Sequence, residues 1–132
     1  MPQLANVTLT DRKGTPVVHT FTPENIASGV GTVVESSGIP AGSNRLSISL
    51  GKQANNRYKP NLRFSFPVVQ TETVNGVSRP VIVRTAYATV EFSFDSTSTE
   101  AERNDVVGMV ADSLGVSKTV VNDTVVKLQG VY

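Results

Sequence analysis

Residues 86–103, AYATVEFSFDSTSTEAER, change from one hydrophobic period to another. In the first half every second residue is apolar, which is the alternation of a strand with one buried and one solvated face. In the second half, Thr97 with Glu100, or Thr99 with Glu102, has the spacing of a capping box, whose two side chains satisfy free backbone N–H groups where a helix begins. The stretch therefore predicts a strand followed by a helix.

Apolar residues continue downstream at helical spacing. They are Val107, Val110, Ala111 and Leu114. Gly115 stands where this helix would end, and Val106 and Met109 widen its apolar arc beyond what a simple surface helix needs. A second helix is predicted over Ser117–Gln129, although the many valines of that segment also suit strands.

Alternating segments upstream predict further strands. RLSISL at 45–50 and NLRFSF at 61–66 both place their apolar residues on one face. Val7–Thr10 and Val17–Phe21 flank a turn-rich connector and predict an N-terminal β-hairpin. Strands first and helices last indicate an α+β fold, and the length fits one domain over residues 1–132.

Three local signals refine this outline. Asn75-Gly76 predicts a tight hairpin turn, because both positions of such a turn need positive φ. Pro67 and Pro80 indicate bulges or edges, where no backbone donor is needed. Pro60 is expected to interrupt the start of its strand.

The composition offers little for catalysis. The absence of cysteine excludes thiol nucleophiles, disulfides and cysteine-based metal sites. The single histidine, His19, cannot build a multi-histidine site, and we interpret it as a surface residue of the hairpin. Glu100 and Glu102 are explained as charges at a helix N-terminus. We therefore expect no enzyme, cofactor, metal site, membrane span or export signal.

Charge is distributed unevenly although the net charge is only +1. Residues 36–71 contain Arg45, Lys52, Arg57, Lys59 and Arg63 and no acid, whereas residues 95–123 contain six acids. The basic stretch indicates either a polyanionic partner or loops that are simply solvated. It falls on strands whose polar face would stay uncovered, so a binding platform is favoured over a solvated face. That face carries Arg45, Ser47, Ser49, Asn61, Arg63, Tyr87 and Thr89.

The segment RTAYATVEFSF at 84–94, continued by STEAER at 98–103, resembles the coat proteins of the small single-stranded RNA bacteriophages, the leviviruses. Matching pieces follow in the same order along nearly the whole chain. They include NVTL at 6–9, RLSISL at 45–50, NRYK at 56–59, VNGV at 74–77 and GVY at 130–132. The ordered set is specific although no single motif is.

The resemblance implies a fold and an assembly. The fold is an N-terminal β-hairpin, a five-stranded antiparallel sheet and two C-terminal helices that pack across an intertwined dimer. Dimers would form an icosahedral shell around the single-stranded RNA genome, in a virion assembled in the host bacterial cytoplasm. The sheet would bind an operator RNA hairpin at the replicase start, repressing translation and directing packaging. Thr73–Pro80 would be a loop that makes shell contacts.

The resemblance also implies roles for individual residues of the RNA face. Ser47 and Ser49 fall on base-pocket positions, with Val30 and Arg63 nearby. Tyr87 falls on a stacking position. The remaining matches are Thr89, where relatives place an asparagine or aspartate that helps choose the RNA, and Arg45 and Asn61 at flanking positions.

One departure from the pattern concerns charge. Gly51 stands where relatives carry a polar or basic residue, and the neighbouring Lys52 is expected to supply that charge. The alternative function is a non-assembling RNA-binding regulator of translation, which would use the same sheet face without forming a particle.

Overall fold

The computed structural model describes residues 2–36 and 38–132. Its strands are β1 (Val7–Thr10), β2 (Val18–Ala27), β3 (Val30–Glu35), β4 (Asn44–Lys52), β5 (Arg57–Val74), β6 (Val77–Glu91) and β7 (Phe94–Asp95). A 3-10 helix covers Pro40–Gly42, and the two α-helices are α1 (Glu100–Ser113) and α2 (Thr119–Val125). The predicted α+β class is confirmed. The chain forms two compact units, one up to Ser93 and one from Phe94 onward.

Strands β1 to β6 lie side by side in chain order, each antiparallel to the next. β2–β6 make the predicted five-stranded antiparallel sheet, and β1 extends it as the first arm of the N-terminal hairpin, with Val7 opposite Phe21. The pairing is irregular between Pro23 and Asn25 of β2, where one residue is unpaired. Such a bulge turns the following side chains relative to the ladder.

The turn between β5 and β6 is the predicted one. Asn75 and Gly76 have φ of 51° and 75°, the left-handed values that a two-residue hairpin turn requires. The pairing begins directly beside the turn, at Val74 opposite Val77, and reaches Thr71 opposite Pro80. The segment Thr73–Pro80 is therefore a regular hairpin tip and not the loop implied by the resemblance.

The prolines fit the sheet in two ways. Pro60 does not interrupt β5, contrary to the prediction, because it lies opposite Leu50 and its carbonyl accepts the Phe92 N–H at 3.1 Å. Pro67 lies beyond Ser65, the last β5 residue paired with β4, and next to a register shift at Val68/Val69. Its missing N–H therefore costs no bond to β4.

The core of the first unit lies on one face of the sheet. Phe21, Val33 and Leu46 are its buried hydrophobic residues among those described. Partly buried side chains surround them, namely Leu4, Val7, Leu9, Ile48, Leu62, Phe64 and Phe66. The Leu4 side chain packs close to the backbone of β3 at Gly31, where an added Cβ would stand only 3.1 Å from Leu4 Cδ1. This face is the apolar side that the alternation in 45–50 and 61–66 predicts.

In the second unit, α1 begins at the second of the two predicted capping boxes. Thr99 Oγ1 accepts the Glu102 N–H at 3.2 Å, and Glu102 Oε2 accepts the Thr99 N–H at 3.4 Å. α2 is shorter than the predicted Ser117–Gln129. It has no side-chain cap at Lys118, and Leu128 has a φ of 59°, outside helical values. Consecutive β-branched residues weaken such a helix.

Neither helix buries a residue within the chain. In α1 the apolar side chains of Val107, Met109 and Leu114 are 43%, 67% and 50% exposed. Large apolar surfaces of this kind usually mark a contact with another molecule. None of the described helices is long and apolar enough to cross a membrane.

Candidate nucleic-acid interface

A polar row crosses the middle of the sheet on the face opposite the core. Ser47 of β4 lies opposite Arg63 of β5, which lies opposite Thr89 of β6. On the other side of Ser47, Thr32 of β3 brings its Oγ1 to 3.4 Å from Ser47 Oγ. Residues that are paired across strands point to the same face, so these side chains are neighbours.

Parallel rows flank the central one on the same face. On one side Arg45, Ser65 and Tyr87 are paired in sequence, and on the other side Val30, Ser49 and Asn61 are paired. The structure thus places all the predicted site residues on one face of the first unit, in three adjacent rows. We call this surface the polar platform. It is made of Val30, Arg45, Ser47, Ser49, Asn61, Arg63, Tyr87 and Thr89.

Accessibility differs across the polar platform. Tyr87 is 79% exposed, so its ring is open to a planar group. Arg63 and Thr89 are exposed as well, whereas Ser47 and Ser49 are half-buried. Ser47 and Ser49 therefore offer recessed hydroxyl groups, while Tyr87 offers an exposed aromatic face and Arg63 an exposed guanidinium. Unpaired bases are recognised by this combination of stacking and short polar contacts.

Two carboxylates stand beside the cations of this surface. Glu24 Oε2 lies 3.4 Å from Arg45 Nε, and a second nitrogen of Arg45 donates to the Pro40 carbonyl at 3.2 Å. Glu91 accepts from Asn61 Nδ2 at 3.2 Å and lies 3.7 Å from Lys59 Nζ. Sequence reasoning missed both contacts, because neither acid belongs to the basic stretch 36–71.

Asn61 has one acceptor left over. Its Nδ2 donates to Glu91, which fixes the orientation of the amide, since an ionised carboxylate can only accept. Its Oδ1 is buried without a hydrogen-bond partner within the described part of the chain. An unsatisfied buried acceptor costs about 1–3 kcal/mol, and such groups occur where a ligand or water completes the bonding.

The charge expected from Lys52 does not reach the polar platform. Gly51 is on the platform side and is paired with Lys59, so Lys59 supplies the cation at this position. Lys52, one residue on, is paired with Tyr58 on the opposite face, and its Nζ lies 5.7 Å from the centre of the Tyr58 ring. The alternation of side chains along β4 explains the difference.

A second polar cluster joins the N-terminal hairpin to β3. Nδ1 of His19 lies 2.7 Å from Glu35 Oε2, and its Nε2 lies 2.8 Å from Asp11 Oδ2. Asn44 Nδ2 donates to the other Glu35 oxygen at 2.9 Å. His19 is therefore half-buried and held at both ring nitrogens, which corrects its interpretation as a surface residue. Sequence spacing does not show which carboxylates form hydrogen bonds with a single histidine, because these partners come from other strands and loops.

The ion pairs of this cluster shift two pKa values. Hydrogen bonds to Asp11 and then to Glu35 raise the pKa of His19 above its ordinary 6.5. The backbone N–H of Val17, followed by His19, holds the pKa of Asp11 far below its ordinary range. Both shifts favour the charged forms, so the cluster is an ionic one.

In sequence, known proteins resemble between 60% and 98% of the chain. Residues 2–132 match the levivirus coat protein family. The capsid protein of Pseudomonas phage PRR1 is 54% identical over 130 residues, which cover 98% of this chain and 99% of that protein. The capsid protein of Escherichia virus Qbeta is 35% identical over 81 residues, 60% of this chain and 59% of that protein.

Solved structures agree in fold. The virus-like particle protein of bacteriophage ESE058 superimposes with a TM-score of 0.85 at 27% identity, covering 99% of this chain and all of that one. The capsid protein of bacteriophage GA has a TM-score of 0.82 at 22% identity, with 98% of both chains covered. The family match over residues 2–132, the capsid relatives and the shared fold together show that the chain belongs to the levivirus coat protein family.

Proposed function

We propose that the protein assembles as dimers into an icosahedral shell around a single-stranded RNA genome, and that its polar platform binds an RNA hairpin at the replicase start. Binding would repress replicase translation and direct packaging, in a virion built in the host bacterial cytoplasm. The observation that carries the RNA-binding part is the row in which Arg63 lies between Ser47 and Thr89, on the face of the sheet opposite the core.

The chemistry of this row suits single-stranded RNA. Arg63 can contact phosphate, while the hydroxyls of Ser47 and Thr89 can accept from or donate to base edges. Tyr87 lies in the adjacent row, and its exposed ring can stack on an unpaired base. A hairpin loop presents unpaired bases and closely spaced phosphates together, so it fits such a surface better than duplex RNA does.

Two features support self-association. β6 is the last strand of the path β1–β6 and is 15 residues long, so its outer backbone edge can pair with the same strand of a second copy. The helix α1 leaves the apolar side chains of Val107, Met109 and Leu114 about half exposed or more, at 43%, 67% and 50%. Capsid relatives and virus-like particle structures favour a shell as the end state of this association.

One preparation tests both parts. The full-length protein is expressed, treated with nuclease and examined by electron microscopy, and the RNA recovered from any particles is measured. Hairpin binding is then measured on dimers, using the replicase-start hairpin of the genome that encodes this chain. We expect RNA-containing shells and salt-dependent binding. Dimers that bind the hairpin but never form particles would indicate the non-assembling regulator instead, and shells whose dimers do not bind would refute the RNA part.

A further inference from the structure

The cations of the polar platform and its edge are not equivalent. Arg45 is paired with Glu24 and Lys59 with Glu91. Arg63 makes no ion pair or side-chain hydrogen bond with any residue among 2–36 and 38–132. The surface thus has a central free guanidinium and two flanking cations that are already neutralised.

Glu24 lies on the same face of the sheet as Arg45. Pro23 pairs with the core residue Val33, so the next residue, Glu24, points to the opposite side, where it is left unpaired before Asn25. Its side chain is 40% exposed and that of Arg45 is 36% exposed, so the pair stands at the rim of the surface. Ion pairs this exposed are weak, and a phosphate can replace the carboxylate.

Replacement has a cost that direct binding lacks. When an RNA phosphate contacts Arg45, the Glu24 carboxylate loses its partner and remains beside a polyanion. Because the Arg45–Glu24 pair has no net charge, a phosphate beside it keeps most of its condensed counterions, and the contact releases few of them. Contact at Arg45 therefore adds little to the salt dependence of binding, whereas contact at Arg63 adds its full share.

We propose that Glu24 is a built-in competitor of RNA phosphate for Arg45 and so limits the affinity of the polar platform for RNA. The proposal rests on the proposed RNA-binding function. Glu24 would not simply position Arg45, because a positioning residue increases the affinity for RNA whereas a competitor decreases it. The basic stretch 36–71 would otherwise bind any RNA through its charge alone.

The test compares four full-length proteins: wild type, Glu24→Gln, Arg45→Gln and the double variant. Glutamine keeps the length of Glu24 and one acceptor oxygen for Arg45 Nε, and it removes the charge. Binding of the replicase-start hairpin and of an oligouridylate of the same length is measured between about 50 and 200 mM salt. Circular dichroism and gel filtration verify the folded dimer, and Glu24→Ala serves as a second variant if Glu24→Gln fails to fold.

We expect Glu24→Gln to bind both RNAs about fivefold more tightly at the lowest salt, the gain implied by one Arg45–phosphate contact at about 4 Å in water that no longer has to displace a carboxylate. The slope of log K against log salt should steepen by about 0.7–0.9, the value for one phosphate. Both effects should vanish in the Arg45→Gln background. Unchanged or weaker binding of Glu24→Gln would overturn the proposal, and so would an equal gain in the double variant.

Glu72→Gln is the matched control. Glu72 lies nine residues from Arg63 along β5, about 30 Å away at the rise of an extended strand. This exceeds the screening length of about 10 Å at 0.1 M salt, so the same loss of charge there should leave binding unchanged. Failure of the proposed function is separately visible, because wild type would then show no hairpin binding for Glu24 to limit.

Discussion

Nδ1 of His19 lies 2.7 Å from Oε2 of Glu35. The other ring nitrogen faces a second carboxylate, Asp11, at 2.8 Å. Since ionised carboxylates only accept hydrogen bonds, both ring nitrogens must carry protons, and the geometry selects the imidazolium form. Lys13 Nζ lies 3.6 Å from Asp11 Oδ2 and adds a further positive charge to this cluster. One protonated ring therefore links the β1–β2 connector, β2 and β3.

The N-terminal hairpin should lose stability as the solution becomes alkaline. The raised pKa of His19 stabilises the fold below the ordinary value of 6.5, and this contribution disappears as pH rises through the raised value. The lowered pKa of Asp11 stabilises the fold above its ordinary 3.8, and this contribution disappears as pH falls. After correction for intrinsic exchange, the β1 and β2 amides should therefore be most protected above the ordinary Asp11 pKa of 3.8 and below the ordinary His19 pKa of 6.5.

His19→Gln provides the control for this pH dependence. Glutamine can still bond one carboxylate, but it cannot titrate. The change in amide protection between pH 6 and pH 9, after correction for intrinsic exchange, should be smaller in the variant than in wild type. An equal change in both proteins would show that His19 does not cause it.

Loss of the exposed aromatic ring should weaken RNA binding without unfolding the protein. Tyr87→Ala removes one stacking platform, worth about 1–3 kcal/mol per base. Ser47→Arg puts a long side chain at a half-buried position of the polar platform and should also weaken specific binding. Filter binding of the replicase-start hairpin measures both. Tyr58→Leu, a change on the opposite face, is the control and should leave affinity unaltered. If Tyr87→Ala and Ser47→Arg also bind like wild type, the RNA face has been misplaced.

Arg63→Ala should reduce both affinity and salt dependence. Because this guanidinium has no carboxylate to displace, its loss should flatten the salt slope by about 0.7–0.9. Arg45→Ala should flatten it less, since Glu24 already neutralises Arg45. Equal slopes for the two variants would contradict this difference.

The protein should not persist as a monomer at micromolar concentration. A charge within the apolar arc of α1, as in Met109→Glu, should dissociate dimers, because burial of an unpaired carboxylate at an interface is costly. Sedimentation velocity measures the change. Ala101→Glu adds the same charge to the same helix about 120° around the axis from Val107, where the side chain is exposed and outside the predicted apolar arc, and should leave association intact. A folded wild-type monomer would contradict the expectation directly.

The tip of the β5–β6 hairpin should serve shell closure and not RNA binding. Deleting Thr73, Val74, Val77 and Ser78 removes two pairs of the ladder and keeps the Asn75-Gly76 turn. Two cross-strand residue pairs must be removed together, because hydrogen-bonded and non-hydrogen-bonded pairs alternate along the ladder. Removing only one would place the wrong kind of pair beside the two-residue turn. We expect folded dimers that bind the hairpin and form no normal shells. Electron microscopy and hairpin binding on one preparation test this expectation. Normal shells formed by the deletion variant would refute the role of the hairpin tip in shell closure.

The alternation of residues was enough to predict the faces of the sheet. Ser47, Arg63 and Thr89 each occupy a polar position of an alternating strand, so sequence places them on a common side without knowledge of register. The contact of Glu24 with Arg45 could not be predicted in this way. It depends on the register that sets β2 beside β3 and β3 beside β4, and register between distant segments has no local sequence signal.

Sequence patterns also did not predict contacts between side chains that lie far apart along the chain. Asp11, His19 and Glu35 are attached to different parts of the hairpin and β3, and only the pairing of those strands brings them within hydrogen-bonding distance. The end of α2 was also misplaced. Valine-rich segments have similar local preferences for helix and strand, so local signals do not define where such a helix stops.

Leu4 and Gly31 restrict each other as the coat sequence diverges. Leu4 Cδ1 lies 3.1 Å from the place where a Cβ at position 31 would stand, so a side chain there requires the end of the Leu4 side chain to shift. A shorter residue at position 4 would open that space and leave a gap over a glycine. Exchanges at these two sites should therefore be inherited together among descendants of this phage, with the larger residue passing from one position to the other.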